Sequence, residues 1–133
     1  MPKQSRILKL YNEVSARLPA TYPRATLVIH PSITSLRECY SKLMSEDDGN
    51  PPYAFCDGED LSIHVSSAFY NENITSMIWY FLHEIGHLLA LQKFGENDPR
   101  WEDYKKSEKY ANDFADRWVK KIKKEQWFKT IKL

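Results

Sequence analysis

The stretch ITSMIWYFLHEIGHLLALQK, residues 74–93, decides how this chain reads. Ile74, Met77, Ile78, Phe81, Leu82, Ile85, Leu88 and Leu89 recur at helical spacing and cover more than one face. That pattern predicts a central helix buried on most sides. Asn73 or Thr75 offers an N-cap, and Gly95 a stop. Into this apolar background the sequence sets His83, Glu84 and His87. Polar groups buried without partners cost several kcal/mol, so these three side chains need an explanation. A metal ion accounts for all of them. Residues four apart share one helix face, so both imidazoles reach one ion. Zinc suits imidazole and carboxylate donors and needs no redox change to hydrolyse a bond. Glu84, one step round from His83, leans toward the open coordination position and fits a general base. The expected load is one zinc per chain.

Catalytic zinc usually takes three protein ligands and keeps one position for water. A third candidate lies in Glu108-Lys-Tyr-Ala-Asn-Asp-Phe-Ala115, on a last helix expected from about residue 100 into the 120s. Glu108, Ala111, Asn112 and Ala115 share one face, and the small alanines permit a close approach to the histidine helix. Asn112 is placed to hold a ligand histidine by a second-sphere hydrogen bond. Asp103, Asp113 and Asp116 are the rival third ligands, with Asp113 and Asp116 about 100° or more off the Glu108 face.

HEIGHLLAL followed by ExxANxFA resembles the ImmA/IrrE-like metallopeptidases, a gluzincin-type family often encoded by phages and mobile elements. The resemblance is specific over residues 77–118 and departs from the family at Tyr110, a position often acidic there. It implies a minimal zincin fold, zinc held by His83, His87 and Glu108, and Glu84 as base. It also implies cleavage of a protein or peptide substrate, often a repressor or regulator. Two other readings stand beside this one: a zinc-containing regulatory module that binds without cutting, and a toxin-like hydrolase of a non-peptide substrate.

Outward from the motif, the chain reads as one α+β domain over residues 1–133. A first helix is expected at 3–18, ended by Pro19, then a strand at Ala25–His30 and a weakly marked helix at 33–44. The loop 46–52 carries Gly49, Pro51 and Pro52. Tyr53–Cys56 and Leu61–Val65 then read as strands around Asp57-Gly58, completing a small three-stranded sheet. In the second, Leu61, Ile63 and Val65 alternate with Ser62, His64 and Ser66, the pattern of a half-buried strand.

Zincins commonly use the strand before the metal helix as a cleft edge, so Ser62 and His64 become candidate substrate-binding residues and Leu61–Val65 the edge that an extended substrate joins. The competing reading of His64, and the default for His30, is a plain surface histidine. Tyr53, Tyr70, Tyr104 and Tyr110 are candidate oxyanion donors between which the sequence does not choose.

Composition sets the outer bounds. A net charge of +1 argues against nucleic acid as the main partner. Acids gather at 46–60, and bases gather after Asp116, interleaved with Trp118, Ile122, Trp127 and Phe128 as on a helix that packs one stripe and solvates the other. Cys39 and Cys56 form no CxxC pair, and neither a signal peptide nor a membrane-length apolar run is present. A cytoplasmic protein with no membrane partner is the expectation.

Overall fold

The computed structural model describes residues 3–44, 54–68, 73–95 and 104–131. Its described residues form a mixed α+β fold of five helices and a small three-stranded sheet. The elements run α1 (Lys3–Ala16), β1 (Thr26–His30), α2 (Ile33–Met44), β2 (Ala54–Asp57), β3 (Ser62–Ser66), α3 (Ile74–Phe94), α4 (Tyr104–Lys123) and α5 (Gln126–Thr130). The weakly marked helix at 33–44 is present as α2, while Tyr53 and the loop 46–52 lie outside the described residues. Among those residues, no helix is long and apolar enough to cross a membrane.

The sheet order is β1-β3-β2, with β1 parallel and β2 antiparallel to β3. This corrects one expectation. β3 is the central strand, with Ser62–Ser66 facing Thr26–His30 on one side and Ser62–Val65 facing Ala54–Asp57 on the other. Its backbone is spent on two ladders, so Leu61–Val65 is no edge for a substrate to join. Every residue of β3 is buried, Ser62 and His64 included. The strand alternates as expected, but both of its faces are covered. Ile63 and Val65 enter the main core with α1 and α3, while Ser62, His64 and Ser66 face the layer that holds α2. A polar-looking strand face therefore reports a buried polar layer rather than solvent.

The β2–β3 turn closes over Gly58–Leu61, where the Asp57 carboxylate accepts from the Glu59 amide at 2.9 Å. Leu61 takes φ 52°, a left-handed conformation costly for a branched side chain. Its carbonyl in return accepts from Thr26 N at 2.9 Å, locking the start of β1 beside β3.

α3 is the core of the molecule, with Phe81, Met77, Ile78, Leu82 and Ile85 almost fully buried. The Asn73 side chain caps it by accepting from Ser76 N at 2.8 Å, and Gly95 ends it at φ 80°. α4 lies along α3, and Gly86 allows the close approach. A Cβ on Gly86 would sit 3.1 Å from Phe114 Cδ1 and 3.2 Å from Ala111 Cα, tighter than ordinary contact. At the C-terminal end, Ile122 is buried and Trp118, Trp127 and Phe128 pack on the core, while the intervening lysines face solvent. Arg17 reaches across from the end of α1 to pair with Glu125 at 3.4 Å and lies over the Trp127 ring.

Candidate metal centre

Three donor side chains from two helices converge. His83 Nε2 and His87 Nε2 are 3.1 Å apart. Glu108 Oε1 lies 2.9 Å from His87 Nε2, and Glu108 Oε2 lies 3.4 Å from His83 Nε2. A tetrahedral ion with bonds of about 2.0–2.1 Å holds its donors about 3.3 Å apart, so these separations are those of one coordination sphere. The donor set also has the right chemistry for zinc, two imidazoles and a carboxylate.

Local packing explains why the donors meet. The four-residue spacing stacks the two rings on one face of α3, at right angles and 4.7 Å between centroids. The contact of Gly86 with Ala111 and Phe114 then brings α4 close enough for Glu108, one turn before Ala111 and Asn112, to reach both. The ring nitrogens pointing away from the centre are treated unequally. His87 Nδ1 meets Ser107 Oγ at 3.4 Å. His83 Nδ1 is buried without a hydrogen-bond partner. A side-chain interaction with Asn112 favours the charged form of His83, so the residue expected to hold a ligand histidine is at the right ring, while Nδ1 itself has no partner.

Burial is the largest influence on His83, His87 and Glu84. It pushes both histidines below the usual imidazole range, with the neighbouring His87 adding to the effect on His83 and Glu108 opposing it at both rings. Neutral rings are the form that binds a metal. Glu84 is pushed up to about 8, first by burial and then by Glu108, against a hydrogen bond from the Cys56 thiol. Its Oε1 lies 4.0 Å from His83 Nε2, beside the donor triangle rather than in it. A divalent cation at the triangle brings this carboxyl back down, since an adjacent positive charge favours the ionised form.

The rival carboxylates are engaged elsewhere. Asp113 takes Lys109 Nζ at 2.8 Å on the exposed side of α4, and Asp116 accepts from Trp79 Nε1 at 2.8 Å. Asp103 lies outside the described residues, as do Tyr53, Tyr70 and the side chain of Tyr104. Tyr110 packs edge-on against Phe94 at 5.8 Å.

Ser62 and His64 are not at this centre. His64 is buried at 7% exposure, stacked on Phe55 at 4.5 Å and bonded to Ser62 Oγ at 2.9 Å, on the sheet face that carries α2. His30, expected as a surface residue, stacks on His64 at 5.2 Å between centroids. The candidate substrate roles of Ser62 and His64 rested on an exposed edge, and that edge is absent from β3.

Three neighbours of the centre were not anticipated. Trp79 stacks on His83 at 4.9 Å, and its place one turn earlier on the same face was readable from spacing. Ser107 behind His87 adjoins Glu108 in sequence. Cys56 reaches Glu84 only because β2 packs against α3, a long-range contact with no local sequence signal.

No protein-family model, curated protein or solved structure matches the chain.

Proposed function

We propose that the chain is a zinc-dependent endopeptidase with a zincin-like architecture, of the ImmA/IrrE-like kind, acting on a protein partner such as a repressor or regulator. One observation carries the reading: three donor groups 2.9–3.4 Å apart, with a second, non-ligating carboxylate, Glu84, 4.0 Å from His83 Nε2. A metal site that only holds a fold together has no use for that extra buried acid.

Zinc held by His83, His87 and Glu108 would supply a Lewis acid for water activation and carbonyl polarisation. Glu84 takes the proton of the attacking water and returns it to the departing amine. Burial keeps its carboxyl in a dry setting where a proton is held or released with small changes in the surrounding charge. Trp79 walls the centre on the His83 side, with Asp116 fixing the indole.

The substrate edge moves from β3 to β2. Among the described residues β2 pairs only with β3, and it brings Cys56 against Glu84, so a peptide added along Ala54–Asp57 would run beside the base.

The test pairs Glu84→Gln with the wild type on a quenched-fluorescent peptide library, with zinc content measured on the same samples. Zinc retained in both, with cleavage only by the wild type, is the expected result. Zinc in both and cleavage by neither favours the regulatory binding module.

A further inference from the structure

The sheet face opposite α3 holds a second convergence of donors, from residues that play no part in the centre above. His30 ends β1, His64 is in the middle of β3 and Cys39 is on α2. His30 Nε2 and His64 Nδ1 are 2.9 Å apart, Cys39 Sγ is 3.9 Å from His64 Nδ1, and all three donor atoms lie within 4.8 Å of one another. A tetrahedral zinc with bonds of about 2.0 Å to nitrogen and 2.3 Å to sulfur requires donor separations of about 3.3–3.6 Å. The two separations at His64 bracket that range.

The nitrogens facing away from this point are both anchored. His64 Nε2 meets Ser62 Oγ at 2.9 Å, and Ser62 donates its hydroxyl proton to Asp60 Oδ1 at 2.5 Å. A hydroxyl that donates to a carboxylate presents its lone pair to the ring, so His64 carries its proton on Nε2 and aims the Nδ1 lone pair at His30 and Cys39. His30 Nδ1 is held in turn by Ser35 Oγ at 3.2 Å. A carboxylate or hydroxyl behind each ligand histidine is the usual second sphere of a metal site. Phe55, stacked on His64, and Tyr40, edge-on to Phe55 at 5.3 Å, screen one flank.

We propose that His30, Cys39 and His64 form a second zinc site, independent of the peptidase reading, that staples α2 onto the sheet. Two imidazoles and one thiolate select zinc over the hard cations, which prefer oxygen donors. The location gives the ion a task. Leu36 is the buried residue among the described side chains of α2, while Ile33 and Leu43 are nearly half exposed. One ion bonded to β1, β3 and α2 secures a helix that apolar contact holds thinly.

The same atoms without an ion make a chain of hydrogen bonds from Ser35 through both rings to Ser62 and Asp60, with a thiol alongside. The experiment therefore reads the sulfur. Chelator-treated full-length protein is titrated with cobalt(II) while the near-ultraviolet thiolate-to-cobalt charge-transfer band is followed. The first centre has no sulfur ligand, so the band reports the second site whatever happens at the first. We expect a band that saturates by two equivalents of cobalt, one for each site, vanishes in Cys39→Ser and persists in Cys56→Ser. In Ser62→Ala it should need about 10–100-fold more cobalt, the usual loss when a ligand's outer partner is removed. Wild-type protein that shows no band at saturating cobalt overturns the proposal, as does a band that survives Cys39→Ser. The wild-type titration needs no variant, so misfolding of Cys39→Ser leaves that arm decisive.

Discussion

Gly86→Ala separates the fold from the candidate metal centre. Alanine is the better helix former by about 1 kcal/mol, and position 86 lies in the interior of α3. Its new Cβ, however, meets Phe114 Cδ1 at 3.1 Å, Ala111 Cα at 3.2 Å and Phe114 Cβ at 3.3 Å, two of them on side-chain atoms and one on backbone. Phe114 and Ala111 are buried, so the ring has little room to turn and α4 must retreat by a few tenths of an ångström. Overpacking of this kind costs about 1–3 kcal/mol. Set against the helix gain, the net loss is about 0–2 kcal/mol, or at most about 8 °C in Tm for a chain of this size. The effect on zinc should be out of proportion, because Glu108 rides on the displaced helix one turn from Ala111 and its two oxygens are the link to both histidines. We expect zinc affinity, measured by competition with a chromophoric chelator, to fall about tenfold or more, a loss of the size seen when a ligand's support is removed. Calorimetry of the chelated protein supplies the Tm. A variant with undiminished zinc affinity and a raised Tm would refute the claim that this close crossing positions Glu108.

Glu108→Ala should lose the zinc held with His83 and His87, seen in metal analysis of purified protein as one ion fewer per chain than wild type, whereas Asp113→Ala and Asp116→Ala should match wild type. Glu84→Gln should retain zinc while peptide hydrolysis falls by at least about 10²–10⁴-fold, the share that general acid–base catalysis supplies. In chelated protein Glu84 makes a signed prediction about pH. Its folded pKa, about 8, is raised above the ordinary 4.5, so its contribution is fully present below about 4.5 and is lost as pH rises through 8. Between pH 7 and 8, above the histidine titrations of the unfolded chain, Tm should therefore decline with pH; Glu84→Gln and added zinc should each flatten the slope. Trp79→Phe keeps a ring against His83 but releases Asp116, so zinc should stay bound, with affinity reduced by about 10-fold at most.

The elements most legible in the sequence were those whose signal is local. α3 announces itself by apolar period, the Asn73 cap and the Gly95 stop, and the four-residue histidine spacing needs only helix geometry to place both rings together. Glu108 was legible for the same reason, since the helical face it shares with Ala111 and Ala115 is the one that packs on α3. What escaped was set by strand order. Alternation in Ser62–Ser66 says that one face is apolar, but it does not say whether the other face meets water or another layer, nor whether a strand is central or at an edge. Those facts depend on β1 pairing beside β3 across some 36 residues of register, Thr26 opposite Ser62. The error over His64 and His30 follows directly: two histidines on separate strands look like surface residues until the sheet order makes them neighbours.

That strand order also carries a kinetic consequence. β2 and β3 are joined by the short turn Gly58–Leu61, so their hairpin closes on the fast, microsecond scale of local structure. β2, β3, α3 and α4 follow one another in the chain, and the donor triangle lies wholly on the last two. β1 is the late arrival, since parallel pairing with β3 requires the intervening α2 and β2 to be looped out before any ladder bond rewards the closure. Any species formed before that closure has one flank of β3 unpaired, an edge of the kind that recruits foreign strands. The buried polar side chains Ser62, His64 and Ser66 temper that hazard, because a strand alternating serine and histidine on one face is a poor seed for a dry, self-complementary stack.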